Sequence, residues 1–210
     1  GLISSGQIDI IFSSNPRYAI EHLYDPMHTT SVLTMFRHPV ERLVSEFYYL
    51  QVASWESSYQ PEWADMDILE WAKSHNSDNN HMVNKLAGNV GGANATDTDL
   101  LRAKRTVRRR FIVGLTEEMK ESIRRFNIVM GINDKTEKSH KRCMNKFFCE
   151  GIHHENSNPH PKIEEGHPAW DLLVEKNVFD VALYEFVLEI FKEQRGRIDS
   201  YADSTVTTPV

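Results

Sequence analysis

Apolar positions along the chain switch between two rhythms. Ser31–Phe36 (Ser-Val-Leu-Thr-Met-Phe) and Phe111–Leu115 (Phe-Ile-Val-Gly-Leu) are short apolar runs with almost no polar alternation. That pattern suits strands of a parallel sheet covered on both faces. Val40, Leu43, Val44, Phe47 and Leu50 recur at steps of three and four after Pro39. Proline favours the first helical position, so a helix is predicted over Pro39–Val52. Strand, short turn and helix open a βα unit. Further helices are predicted at Asp65–Ser74, Asn80–Ala87, Asp97–Arg109, after Thr116 as its cap, from Pro168 to Lys176, and at Val178–Arg195. Residues 1–30 read as irregular, although a short strand could form at Ile8–Phe12. Gly88–Thr98 reads as a glycine-rich loop, and Gly131–Pro168 as the longest irregular region. Helices interleaved with buried strands predict an α/β fold with a small parallel sheet flanked by helices. Two convincing strands are few for such a sheet, so a further strand is expected upstream of residue 1.

Composition narrows the class. Of 210 residues, 40% are hydrophobic and 26% charged, the balance of a soluble globular domain. No apolar run approaches the roughly 18 residues that cross a bilayer. The start, Gly-Leu-Ile-Ser-Ser-Gly, has neither an initiator Met nor a signal peptide, so a piece of a longer protein is expected. Residues 1–198 are assigned to one partial domain and 199–210 to a polar tail. The formal net charge of -6 argues against bulk nucleic-acid binding. Cys143 and Cys149 are spaced to close a small disulfide loop in an oxidising compartment, or stand as two free thiols. Asn94-Ala95-Thr96 is a glycosylation sequon that fits a secreted or lumenal surface loop.

The segment Thr34-Met-Phe-Arg-His-Pro-Val-Glu-Arg-Leu-Val-Ser-Glu-Phe-Tyr-Tyr-Leu50 carries the most chemistry. Arg37 follows a buried strand directly, at the carboxyl edge where open α/β sheets bind ligands. Its guanidinium is a planar fork matched to phosphate or sulfate. Ser45 lies about two turns into the following helix, where its hydroxyl could join Arg37 on one anion. Arg42, one turn before Ser45, adds positive potential or a structural ion pair. The physics leaves a plainer reading open, in which Arg37 ends the sheet in a salt bridge and Ser45 packs.

Arg-x-Pro-x-x-Arg-x-x-Ser-x-(aromatic)-Tyr after an apolar strand resembles the 3′-phosphate motif of sulfotransferases that use 3′-phosphoadenosine 5′-phosphosulfate (PAPS). The wording looks most like the Golgi heparan sulfate 2-O- and 6-O-sulfotransferases. Asn79-Asn80-x-x-Val83-x-x-Leu86, Phe111-Ile-Val-Gly-Leu-Thr-Glu117 and Asp180-x-x-Leu183-Tyr184-x-Phe186 resemble further segments of that family, in the same order. The likeness spans roughly residues 30 to 195. It implies a P-loop-NTPase-like sulfotransferase fold lacking its first strand and phosphosulfate loop. It also implies sulfuryl transfer from PAPS to a hydroxyl of a glycan or polysaccharide. The parent would lie in the Golgi lumen or secretory pathway, held to a membrane only by an anchor absent from this chain. By the resemblance Arg37 and Ser45 bind the donor's 3′-phosphate, and Tyr49 and Trp55 stack on an acceptor sugar. On residue type alone, Tyr49 could instead pack on the sheet and Trp55 pin its loop. No metal and no nucleic-acid partner are implied.

The departures weigh as much. None of the ten glycines precedes Lys-Ser or Lys-Thr, so the Pro-Lys-x-Gly-x-Thr loop that neutralises the leaving phosphate is missing. Neither His22 nor His28 stands in the context of the family's catalytic base. Truncation is the simplest account; a degenerate module that binds PAP, PAPS or a glycan without catalysis is the alternative. In Ile152–Pro161 only Asn156-Ser157 resemble the family's last cofactor loop, and no ligand is carried over from it. Arg102–Arg110 packs six basic residues into nine, suited to an acidic polymer or simply to a solvated helix face. Cys143, Cys149, His153 and His154 lack a usual zinc spacing. His160 and His167 are expected to face solvent.

Overall fold

The computed structural model describes residues 10–23, 31–74, 79–89, 94–132 and 160–206. Its centre is a two-stranded parallel sheet. Strand β1 (Val32–Phe36) pairs with β2 (Phe111–Leu115), in register from Val32 opposite Phe111 to Phe36 opposite Leu115. Both apolar runs are therefore strands, and the α/β class with a small parallel sheet flanked by helices is the observed one.

The helices in chain order are α1 (Pro16–Tyr18), α2 (Pro39–Leu50), α3 (Ile68–Lys73), α4 (His81–Ala87), α5 (Asp97–Arg110), α6 (Met119–Val129), α7 (Pro168–Lys176) and α8 (Val178–Val206). They divide the apolar side chains into two cores. Phe111, Val113 and Leu115 alternate onto one face of β2, where they meet Val83 and Leu86 of α4, Ala103 and Val107 of α5, and Leu183, Val187 and Ile190 of α8. The other face is covered by α6. A Cβ at Gly114 would lie 2.5 Å from Met35 Sδ and 2.7 Å from Phe126 Cζ. Glycine at 114 thus lets α6 approach the sheet, and any side chain there would overpack it. The second core joins the apolar stripe of α2 (Val40, Leu43, Val44, Phe47, Leu50) to Trp71 of α3 and to Trp170 and Leu173 of α7.

Two side-chain devices lock this frame. Gln194 of α8 is buried beside the outer edge of β2. Its Oε1 accepts from Val113 N at 2.9 Å and its Nε2 donates to Phe111 O at 2.6 Å. One amide thus replaces one residue of a neighbouring strand on that edge. The second device joins α4 to α8. Asp180 accepts from Met82 N (3.0 Å) and Val83 N (2.8 Å), capping α4 from outside its own sequence. Asn80, at φ 53°, accepts from Phe179 N and Asp180 N, capping α8 in return. Asn177 accepts from Asn80 N and donates to Leu173 O. The Asn-Asn and Asp-x-x-Leu-Tyr segments therefore hold one another and the first turns of two helices.

Four expectations fail, each for a local reason. Residues 16–23 are helical, as α1 and a π-helical turn (Ala19–Leu23), because Asn15 accepts from Tyr18 N and starts the turn. Ile10–Phe12 form no strand, while Ile8 and Asp9 lie outside the described residues. Thr116 does not cap α6. Its N–H continues the ladder to Phe36 O, and α6 begins at Met119 after a turn closed by Ser122 Oγ on Leu115. The expected polar tail after Ile198 is helical through Val206, held by buried Ile198 and by Asp199 on Arg124 at 2.7 Å. No helix among the described residues is long and apolar enough to cross a membrane.

Candidate functional site

Both strands point their carboxyl ends at one place. After β1 come Arg37 and His38; after β2 come Thr116 and Glu117. Pro39 starts α2 at once, so Arg37 and His38 are fixed between a strand end and a helix start. Arg37 faces a cavity of about 770 Å³ shared with Glu41, Val44, His160, Lys162, Ile163, Glu164, Glu165 and Trp170. That size accommodates a small-molecule ligand. The Arg37 side chain is 37% exposed, and its Nε sits 3.6 Å from Glu41 Oε2. An exposed pair at that distance is weak, so the fork can turn to an anion at little cost.

Ser45 is half-buried on α2, one turn beyond Glu41 on the same helical face, and it does not line the cavity. The described geometry thus brings Arg37 to a cavity, while Ser45 lies one turn further along α2, outside its lining. Arg42 Nη1 donates to Glu46 at 2.8 Å, the structural-pair alternative for that residue. Tyr49 and Trp55 do meet: their rings stand edge to face with centroids 6.4 Å apart. Tyr49 donates to Glu56 at 2.6 Å, which raises its phenol pKa, and Trp55 is 73% exposed. Neither is buried against the sheet. Glu41, Ser45 and Tyr49 lie at i, i+4 and i+8 along α2, so the aromatic pair ends a row that starts at the cavity.

Several residues of this region escaped sequence reasoning. His38 stacks on Trp170 (centroids 5.0 Å, interplanar angle 11°) and meets Tyr184 edge-on at 5.4 Å. The Tyr184 hydroxyl donates to Glu117, which joins α8 to the end of β2. His38 and Tyr184 line a second cavity of about 660 Å³, and Glu165 and Trp170 border both. His160 was expected to face solvent; it is half-buried and stacks on Tyr48 at 5.1 Å. His167 is exposed and caps α7 through Ala169 N. The signal for His38 was present, since it sits between Arg37 and Pro39. Lys162 and Glu165 lie in a stretch without periodicity, where sequence offers no face to assign them.

His22 is exposed and its ring meets Tyr18 at a tilt of 47°, with centroids 4.5 Å apart. Cys143, Cys149, His153, His154, Asn156, Ser157 and His28 lie outside the described residues. Among the described residues no group of three or more His, Cys, Asp and Glu is placed to hold a metal ion. Of the sequon, Asn94 is exposed, while the Thr96 hydroxyl forms a capping box with Asp99 at the start of α5.

Burial pushes the His38 imidazole below its usual range, against the pull of Glu41, Glu117 and Glu165. The neutral ring is therefore favoured in the fold, and the unfolded chain takes up a proton first. Stability from His38 is present above about pH 6.5 and is lost as pH falls through the lowered folded value. Urea midpoints should therefore drop between about pH 7 and pH 5 more steeply in the wild type than in His38→Gln. Parallel curves would remove His38 from the pH response.

Comparison with family models, with curated proteins and with solved structures returned no match for this chain.

Proposed function

We propose that this chain is the C-terminal part of a PAPS-dependent sulfotransferase with a P-loop-NTPase-like fold, acting on a glycan or polysaccharide in the secretory pathway. One observation carries the reading. Arg37, inside the Arg-x-Pro-x-x-Arg-x-x-Ser pattern, stands at the carboxyl end of a parallel strand and faces a ligand-sized cavity. A guanidinium placed there suits a phosphate monoester. Lys162 on the same wall adds a second cation, and the exposed Tyr49–Trp55 pair offers ring faces to a sugar further along α2.

The residues present fit the 3′-phosphate end of the donor and not its whole charge. Glu41, Glu164 and Glu165 share the cavity with Arg37 and Lys162, so a complete polyanion would meet repulsion. When bound, the donor supplies the sulfuryl group. This chain's own part is to hold the 3′-phosphate at Arg37, to orient the nucleotide against Trp170, and to keep the reacting end at the strand termini. The missing phosphosulfate loop favours a second reading for the 210 residues alone: a module that binds the desulfated nucleotide PAP without turnover.

Calorimetric titration with PAP decides the assignment. Arg37→Ala should weaken PAP binding at least about tenfold, the loss of one charged hydrogen-bonding partner. Unchanged affinity would overturn the site. Sulfuryl transfer by the 210 residues alone is expected to be undetectable; substantial turnover would mean that the leaving phosphate is neutralised by groups other than the missing loop.

A further inference from the structure

We propose that the exposed arginine face of α5 is a docking surface for an acidic polysaccharide, separate from the Arg37 cavity. From Leu100 to Thr116 the chain carries six cations and no carboxylate. A merely solvated helix interleaves acids with bases at i±4, because like charges at that spacing destabilise it. Here Arg105 and Arg109 stand four apart with the same sign.

The cations fall into two sets. Arg108 pairs with Glu193 at 3.3 Å, and Lys104 and Arg108 lie over the Phe186 ring at 5.5 and 5.1 Å. Those two cover the side of α5 that faces α8. Arg102 is 61% exposed in its side chain and only approaches Asp99, at 3.6 Å. Arg105, Arg109 and Arg110 are exposed, and their side chains make no ion pair or hydrogen bond with a described residue. The helix dipole favours Arg109 and Arg110 in the last turn. It does nothing for Arg105 in the middle. Arg102, Arg105 and Arg109 recur at steps of three and four, a row about 10 Å long on one face. Leu101, 65% exposed, lies beside that row.

A row of guanidinium forks meets sulfates or carboxylates spaced along a polymer two-pronged, and Leu101 offers an apolar contact to the C–H face of a sugar ring. Nucleic acid fits less well. The chain's net charge is -6, so its attraction for anions is local to this helix, and α5 carries no aromatic residue on which a base could stack. The choice of a glycan rests partly on the sulfotransferase reading; the cationic row does not.

Titration of the 210-residue chain with a heparin fragment tests the surface. Arg105→Glu/Arg109→Glu should weaken heparin binding at least about tenfold and flatten its salt dependence, since two anion contacts are lost. PAP affinity should not change in that variant. Arg105→Gln/Arg109→Gln, checked by circular dichroism, serves if charge reversal unfolds the helix and should show a smaller loss in the same direction. No heparin binding by the wild type, or equal binding by the variants, would overturn the proposal. Equally tight binding of duplex DNA of matched charge would overturn the choice of a glycan. If Arg37→Ala keeps PAP affinity while the α5 variants lose heparin, the sulfotransferase reading fails and the docking surface stands.

Discussion

Asp180→Ala should remove most of the protein's resistance to denaturant. The Asp180 side chain is fully buried and accepts the N–H groups of Met82 and Val83, the first free donors of α4. Alanine leaves both without an acceptor, in a place water reaches poorly. Each stranded donor costs about 1–3 kcal/mol, so about 2–6 kcal/mol is expected for the two. That is a large share of the roughly 5–15 kcal/mol that separates a folded domain from its unfolded chain. Asp180→Asn is the informative control. Burial raises the Asp180 carboxyl pKa, while the two backbone donors pull it down. A neutral amide avoids the burial penalty and keeps one acceptor oxygen. The urea midpoints should therefore order as wild type, then Asn, then Ala. An Ala variant as stable as the wild type would mean that α4 finds another cap.

That network also marks where sequence stops being legible. Both strands and most helix cores could be read locally, because their signals lie within a few residues. Phe111–Leu115 is apolar throughout, and the α2 stripe repeats at three and four. The partners of Asp180 and Asn80 stand 97 to 100 residues apart, and no periodicity links them. Gln194 looked like one more polar residue on an amphipathic helix, yet it closes a strand edge 81 residues earlier. Thr116 and Glu117 resembled a helix start, but the strand ladder runs on through Thr116 to Phe36 and α6 starts only at Met119, after Glu118.

The candidate site was legible by half. Arg37 could be placed because a strand end and a helix-starting proline bracket it. Ser45 was assigned by the resemblance, and helical spacing gives only its face of α2, not the shape of the cavity wall. His38 and Trp170 belong to elements 132 residues apart in sequence, and only the packing of α7 on α2 joins them. Their stacking builds an aromatic wall beside the two cavities, both of which Trp170 borders.

Glu121→Ala should be about as damaging as the loss of Asp180, by a different route. Arg125 of α6 has a side chain only 1% exposed. Its guanidinium donates to Glu121 at 2.8 Å and to Phe191 O at 2.6 Å, and lies 3.6 Å over the Phe191 ring. Glu121 also takes two bonds from Arg124, which reaches on to Asp199 of α8. Removing the carboxylate leaves a buried cation with a carbonyl and a ring face, but no counter-charge. Breaking a buried pair from one side costs about 3–5 kcal/mol, whereas replacing its charged member by an apolar one of similar volume is often near neutral. Arg125→Met should therefore be milder than Glu121→Ala, although Arg125→Met deletes the larger set of contacts. The acid limb of stability gives an independent check. Hydrogen bonds from Arg124, and then from Arg125, hold Glu121 down to about 2. A depressed carboxyl contributes stability that is present above about pH 4.5 and is lost as pH falls towards 2. Between those values Glu121→Ala should lose less further stability than the wild type. If Arg125→Met proves the more harmful change, and the two acid limbs run parallel, the contacts of Arg125 with Phe191 anchor α6 and the Glu121 pair does not.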